Sequence, residues 1–283
     1  MLERSIPWAS TYGNHDEQYN LSREALYLEE NKYDLSLTRH SPSGVPGITN
    51  YFIPVFAEHY VTVNPAFILW FFDSRGGRSF QNQEQPPAIP DWVASATVEW
   101  FKSTQSQIYR QWGYMPPSLA FVHIPPTAFL KAQQDLGRKD YRGRPIPGNR
   151  KSRHFPGLNE DVPLAHQGDG KQDLSFMQAL LDTPGLHSIY SGHDHGDSWC
   201  ANWPNTTSFG KVSRPHLCFC KHTGYGGYGT WNRGSRIVEI TFEALTGKLE
   251  VATWVRMEDG DTVQLVSLNE TYGSDVYATG NGE

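Results

Sequence analysis

Long apolar runs are absent from this chain of 283 residues. None approaches the roughly 18–20 residues that a membrane-spanning helix needs, so no such span is expected. Cysteine is scarce, with 3 residues: Cys200, Cys218 and Cys220. A single residue separates Cys218 from Cys220, which fits no zinc module. Two readings stay open for these thiols. Cys200 bridges Cys218 or Cys220 in an oxidising compartment, or all three are buried thiols. An excess of positive charge is also lacking. The 24 Lys and Arg stand against 30 Asp and Glu, a net charge of −6. That balance gives no general pull toward nucleic acid or an anionic membrane surface. The sequence shows no basic helix and no aromatic–basic platform, so nucleic acid is not an expected partner. Internal repeats and low-complexity tracts are missing too. Compartment (secretory or vacuolar route, or cytoplasm) and oligomeric state stay open.

Aromatic residues are plentiful. The 9 Trp, 14 Tyr and 14 Phe can fill a sizeable core, so the composition is that of a folded chain. Its length suits one large domain or two small ones.

The apolar stretch 6–12 reads as a short strand that ends at Gly13. Asn20 or Ser22 can cap a helix over 23–30, with Ala25, Leu26 and Leu28 on its apolar side. Residues 51–55 and 60–63 alternate like paired strands. The run 66–72 is continuously apolar, the pattern of a strand covered on both faces. A helix is predicted over 91–112, with Trp92, Val93, Ala96, Trp100, Ile108 and Trp112 as its stripe and Gly113 as its stop. A strand over 118–123 ends on His123, a helix follows at about 173–181, and a strand over 189–191 leads into Gly192. Segments 236–243 and 248–256 read as a hairpin around Thr246-Gly247. Residues 257–283 read as an acidic polar tail, frayed or with one short extra strand. The stretch 130–172 reads as a long polar insertion rich in Gly and Pro. It carries Arg138, Lys139, Arg142, Arg144, Arg150, Lys151 and Arg153. It is either a phosphate-attracting loop or a solvated surface insertion.

Three short strings carry the chemistry. In Gly192-His193-Asp194-His195, two histidines two apart leave a strand on one loop and can face two neighbouring cations. A lone His-x-His pair is often structural, so the surrounding Gly and Ser matter. His123 ends a strand and precedes Pro125-Pro126, which lock the backbone. Alone it reads more readily as a core histidine than as a ligand; its order between the other two strings favours the ligand. In Gly13-Asn14-His15-Asp16, the Asn14 amide oxygen can ligate a hard cation. His15 can protonate a leaving alkoxide, with Asp16 holding its other nitrogen. Asn and Asp also favour plain turns.

Together the strings resemble the calcineurin-like metallophosphoesterase superfamily, and more closely its purple-acid-phosphatase-like branch in fungi and plants. Other matching stretches include Pro156-Gly157-Leu158-Asn159, Thr223-Gly224-Tyr225-Gly226-Gly227-Tyr228-Gly229 and Arg233-Gly234. The resemblance implies an α/β fold, a four-layer α/β/β/α sandwich over 1–256, around two divalent or trivalent metal ions (Fe, Zn or Mn). It implies Asn14, His123 and His193 as ligands of one metal, His195 as a ligand of the other, and His15 with Asp16 as the catalytic pair. Tyr225 and Tyr228 would lie on the glycine-rich loop near the site. The implied reaction is hydrolysis of a phosphomonoester or phosphoprotein by metal-bound hydroxide, with a phosphodiester as the alternative substrate.

The resemblance is incomplete. The family also carries Asp-x-His and Gly-Asp-x-x-Asp motifs ahead of the asparagine motif. Twelve residues precede Gly13 here and hold neither. The sequence therefore reads as the C-terminal part of such a domain, holding one metal or none. On its own it is expected to be weakly active or a non-catalytic binding or regulatory fragment. Asp73, Asp194 and Asp197 are conceivable stand-ins for the absent carboxylates, though nothing in their spacing supports them.

Overall fold

The computed structural model describes residues 1–17, 21–57, 64–80, 85–136, 154–204, 214–243 and 248–277. The larger sheet holds β1 (Tyr51–Val55), β2 (Phe67–Phe72), β3 (Ser118–Val122), β4 (Leu186–Ser191), β5 (Cys200–Asn202) and β6 (His216–Phe219). Its strand order is β1-β2-β3-β4-β6-β5. The four inner strands run parallel, and β1 and β5 pair antiparallel at the edges. Inner parallel strands are covered on both faces, which is why the apolar run 66–72 does not alternate.

On one face lie α2 (Ser95–Trp112), α3 (Thr127–Leu136) and α4 (Leu174–Asp182). Aromatic rings meet edge-on in this core. Trp70 and Phe101 are 4.8 Å apart, Phe72 and Phe101 4.9 Å, and Phe72 and Phe176 4.9 Å. Each such pair adds about 0.5–1.5 kcal/mol beyond the area it buries. On the other face lies an antiparallel sheet of β7 (Gly234–Glu243), β8 (Lys248–Met257) and β9 (Thr262–Leu268). Leu249, Val251, Val266 and Leu268 pack there against Leu119, Tyr190 and Cys218.

One row of residues crosses all six strands: Tyr51, Phe71, Phe121, Tyr190, Cys218 and Cys200 sit opposite one another in register. The four rings stack at 4.6, 5.2 and 5.2 Å, nearly parallel. The row ends in a disulfide between Cys200 and Cys218. Of the open thiol readings, the Cys200–Cys218 bridge is the one found, and Cys220 is the free thiol. The α/β class is as expected, and helix, sheet and sheet layers are present among the described residues.

Several local expectations change. Residues 6–12 make a single bridge, Trp8 to Ser36, instead of a strand. Pro7 has no N–H to give, and the Ser10 N–H goes to the Thr38 hydroxyl. Helix α1 (Arg23–Glu30) forms as read, capped by Ser22 Oγ accepting the Ala25 N–H at 3.1 Å, but Leu28 is exposed and Arg23 is buried. Helix α2 starts at Ser95, not 91. The Val93 N–H goes to Gln167 Oε1, and the Trp92 carbonyl is taken by Arg75, which holds 92–93 outside the helix. Its buried stripe is Thr97, Val98, Phe101, Thr104 and Ile108, with Ala96 exposed.

The stretch read as a polar insertion opens inside α3, and beyond it Leu158, Leu164 and Gln167 are buried. The stretch read as a tail contributes β9, because Val266 and Leu268 complete the apolar layer under β8. The basic positions 138–153, the strand at 60–63, Asn20 and the Thr246-Gly247 turn lie outside the described residues. Among the described residues no helix is long and apolar enough to cross a membrane.

Candidate metal centre

The C-terminal ends of β2, β3, β4 and β6 open on one edge of the parallel sheet, where open α/β sheets place ligands. From β2 comes the loop 73–77, from β3 His123, from β4 the loop of His193 and His195, and from β6 His222. The Asn14 turn packs onto this edge.

Three donor atoms converge there. Asn14 Oδ1 lies 3.0 Å from His123 Nε2 and 3.0 Å from His193 Nδ1, and the two nitrogens are 3.4 Å apart. Two cis donors at about 2.1 Å from one cation are separated by about 3.0 Å at octahedral angles and about 3.4 Å at tetrahedral ones. The triangle therefore fits one face of a coordination sphere. Without a cation, the amide oxygen can instead accept an N–H from either ring. Among the described residues no three His, Cys, Asp or Glu side chains make a metal cluster, so the triangle depends on Asn14 for its third corner.

The electrostatics suit neutral imidazoles. Burial holds His123 down to about 3, reinforced by His193, His15 and Arg23. Burial likewise holds His193 down to about 4, with His15 and His195 adding to it. Both rings therefore present lone pairs at neutral pH. His193 has φ 72°, the left-handed region that costs a non-glycine residue about 1–3 kcal/mol. Such strain is kept where the surroundings over-determine it.

Arg23 braces the site from beneath. It is buried, and Nη2 donates to the Gly13 carbonyl at 3.0 Å and the Gly76 carbonyl at 2.9 Å, tying the Asn14 turn to the loop after β2. Asp16 Oδ2 accepts the Gly13 N–H at 2.6 Å, which closes the turn, and His15 is exposed at its rim. Glu30 holds the preceding strand-like segment through Ser10 Oγ at 2.6 Å and Tyr12 OH at 2.8 Å.

His195 is held differently. Its Nδ1 lies 3.0 Å from the Tyr228 carbonyl, and its ring stacks on Tyr228 at 4.4 Å and on His222 at 4.8 Å. The three conceivable carboxylate stand-ins face other tasks. Asp73 accepts N–H groups of Ile48, Thr49 and Arg75. Asp197 accepts from Asp161 N and Gln133 Nε2. Asp194 takes the Ala165 N–H on Oδ1, and burial pushes it up to about 8.

Sequence reasoning missed Arg23, Asp161 and His222. Only His222 carried a signal, a histidine just past the end of a parallel strand, as with His123 and His193. Tyr225 and Tyr228 do lie on the glycine-rich loop beside His195, with Tyr225 exposed and the Arg233 guanidinium 4.4 Å above its ring.

A mixed α/β protein with a convergent Asn/His site at its strand ends is the class that fold and site define. No family model matches the chain. The chain is similar to purple-acid-phosphatase-like proteins of plants and to a yeast phosphatase. It is 24% identical over 278 residues to probable inactive purple acid phosphatase 29 of Arabidopsis thaliana, covering 91% of this chain and 63% of that protein. It is 24% identical over 280 residues to probable inactive purple acid phosphatase 14 of the same plant, covering 91% and 61%. Against phosphatase DCR2 of Saccharomyces cerevisiae it is 24% identical over 269 residues, covering 91% and 40%. The chain thus spans less than two thirds of the length of the curated relatives it matches.

Proposed function

We propose that this chain carries the Asn/His part of a metal-dependent phosphoesterase site. In this reading the helix, sheet and sheet layers belong to a four-layer α/β/β/α sandwich. Asn14, His123 and His193 hold one cation, and His195 offers a ligand to a second, with Fe, Zn or Mn suited to such donors. The substrate class is a phosphomonoester or phosphoprotein. The single observation that carries the proposal is the donor triangle of Asn14, His123 and His193.

A cation bound there supplies Lewis-acid polarisation of a phosphoryl oxygen. The chain's own residues do the rest. Arg23 and Asp16 fix the turn that presents Asn14, and the buried, neutral rings of His123 and His193 keep their lone pairs free. In this reading His15, which is exposed at the rim, gives a proton to the leaving alkoxide oxygen.

A second reading is a non-catalytic binding module on the same fold. It is favoured by the names of the plant relatives, which are given as probable inactive enzymes. One experiment separates the two. Purified chain is loaded with Mn²⁺, Zn²⁺ or Fe, its metal is counted by mass spectrometry, and release of phosphate from an aryl phosphate is followed. Metal with turnover supports the phosphoesterase. Metal without turnover supports the binding module. A folded chain that takes up none of these ions sinks both the cation site and the enzyme.

A further inference from the structure

His195 is gripped by residues that no ligand role explains. Its Nδ1 sits 3.0 Å from the backbone carbonyl of Tyr228. A carbonyl oxygen only accepts, so Nδ1 carries the hydrogen, and in the neutral ring Nε2 carries the lone pair. The ring lies between two others, Tyr228 at 4.4 Å and 11° and His222 at 4.8 Å and 10°. Gly227 closes the ring edge. Its φ is 92°, and a methyl group there would lie 2.3 Å from His195 Cε1.

The Tyr228 carbonyl is itself fixed from outside its loop. The Tyr228 hydroxyl donates to Asp161 Oδ2, and the same oxygen accepts the Gly196 N–H at 3.2 Å. The neighbouring Glu160 takes the Trp231 indole N–H at 2.8 Å. Residues 160 and 161 thereby stitch the glycine-rich loop to the His193–His195 loop. Tyr228 is 52% exposed, so this arrangement does not bury a core. It holds one imidazole.

We propose that Asp161 and Tyr228 are positioning residues that lock His195 as the Nδ1–H tautomer, leaving Nε2 as the nitrogen that meets a cation. A ligating histidine whose other nitrogen donates to a fixed acceptor gains orientation and basicity, and loss of the outer partner costs about 10–100-fold in metal affinity. The use of Nε2 rests on the metal reading above; the tautomer lock does not.

The test uses the metal-free full chain labelled with ¹⁵N-histidine, with His195 assigned through a His195→Gln variant. Long-range ¹H–¹⁵N spectra at neutral pH distinguish the two tautomers. Wild type should show His195 protonated at Nδ1. Tyr228→Phe keeps the ring stack but loses the hydroxyl, and Asp161→Asn loses the carboxylate; both should shift His195 to a mixture, with melting temperatures within a few degrees of wild type. A wild-type ring protonated at Nε2 overturns the proposal, as do folded variants whose tautomer is unchanged. Titration with Zn²⁺ alone then tests the step to the cation. Weaker binding of the second equivalent by about 10–100-fold in Tyr228→Phe supports it. Equal binding in both proteins removes the role of the lock in cation binding. If wild type binds no Zn²⁺ but shows the lock, the metal reading fails and the tautomer assignment stands.

Discussion

The backbone carbonyl of Asn14 lies directly against Gly77. A methyl group at Gly77 would sit 1.8 Å from that oxygen, closer than any contact a protein tolerates. The turn that offers the Asn14 amide thus rests on the one residue type that leaves room for it. Gly77 also has φ 75°.

Gly77→Ala should therefore cost more than its backbone angle alone. Gly113, the stop of α2, has φ 77° and nothing within 4 Å of where its methyl would go. Gly113→Ala should lose only the roughly 1–2 kcal/mol that an L-residue pays in the left-handed region. Gly77→Ala should lose that amount and the cost of moving Asn14, and it should weaken cation binding as well. Urea unfolding of both variants checks this. Equal losses would mean that the Asn14 turn is free to move and that Gly77 is an ordinary turn glycine.

His193→Ala opens one corner of the donor triangle. It should lower the metal content of the chain and weaken binding of the first Zn²⁺ equivalent by at least the 100-fold or so that loss of an outer partner can cost. Titration calorimetry gives the value. An unchanged metal count would remove His193 from the ligand set.

Acid should reach this site late. A free imidazole titrates near 6.5, but burial and like-charged neighbours hold His123 at about 3 and His193 at about 4. Protons therefore compete with a cation only below about pH 4. Zn²⁺ affinity of the triad should stay nearly flat from pH 7 to about 5 and fall steeply below 4. For the metal-free chain the sign is fixed by the same depression. The unfolded histidines take up protons near 6.5 while the folded ones do not, so stability present above 6.5 is lost as pH falls toward 4. His216, held by burial at about 3, adds to the same slope. Affinity that already drops tenfold between pH 7 and 6 would show that these rings are not held neutral.

Much of this site was legible because its residues stand in short strings at strand ends. Gly before His193 and Pro after His123 narrow the local readings of 192–195 and 123–126, and the order of the three strings along the chain does the rest. The braces were not legible. Arg23 looks like an ordinary first-turn helix residue, and only the fold shows its guanidinium buried under the Gly13 and Gly76 carbonyls. Helix α3 was lost for a related reason. Its first N–H is capped by Asp173 Oδ2 at 2.6 Å, a partner 46 residues away. Pro125-Pro126 reads as a lock on the backbone after His123, although proline also opens helices. The start of α2 moved because Gln167 and Arg75 claim the backbone at 92–93. Each miss is a long-range hydrogen bond that overrides a local preference.

The disulfide gives a last expectation, and it turns on which thiols pair. Cys200 and Cys218 face each other across β5 and β6 and are separated by 18 residues in sequence. Closing a loop of that size removes roughly 3 kcal/mol of chain entropy from the unfolded state. Cys220 is half-buried beside them, and desolvation pushes its thiol up to about 11, which keeps it protonated and slow to exchange. Purified oxidised chain, unfolded without reductant, should therefore take up one thiol label per molecule, on Cys220. The double variant Cys200→Ala, Cys218→Ala should lose about 3 kcal/mol of stability, within the usual 2–4 kcal/mol for such bridges. Its loss should be nearly independent of added reductant, whereas wild type should fall toward the variant when reduced. Three labels on the oxidised chain would mean that the row of stacked rings across the sheet ends in free thiols and that the stability of its β5 edge comes from packing alone, whereas a single label on Cys218 would mean that Cys200 pairs with Cys220 instead.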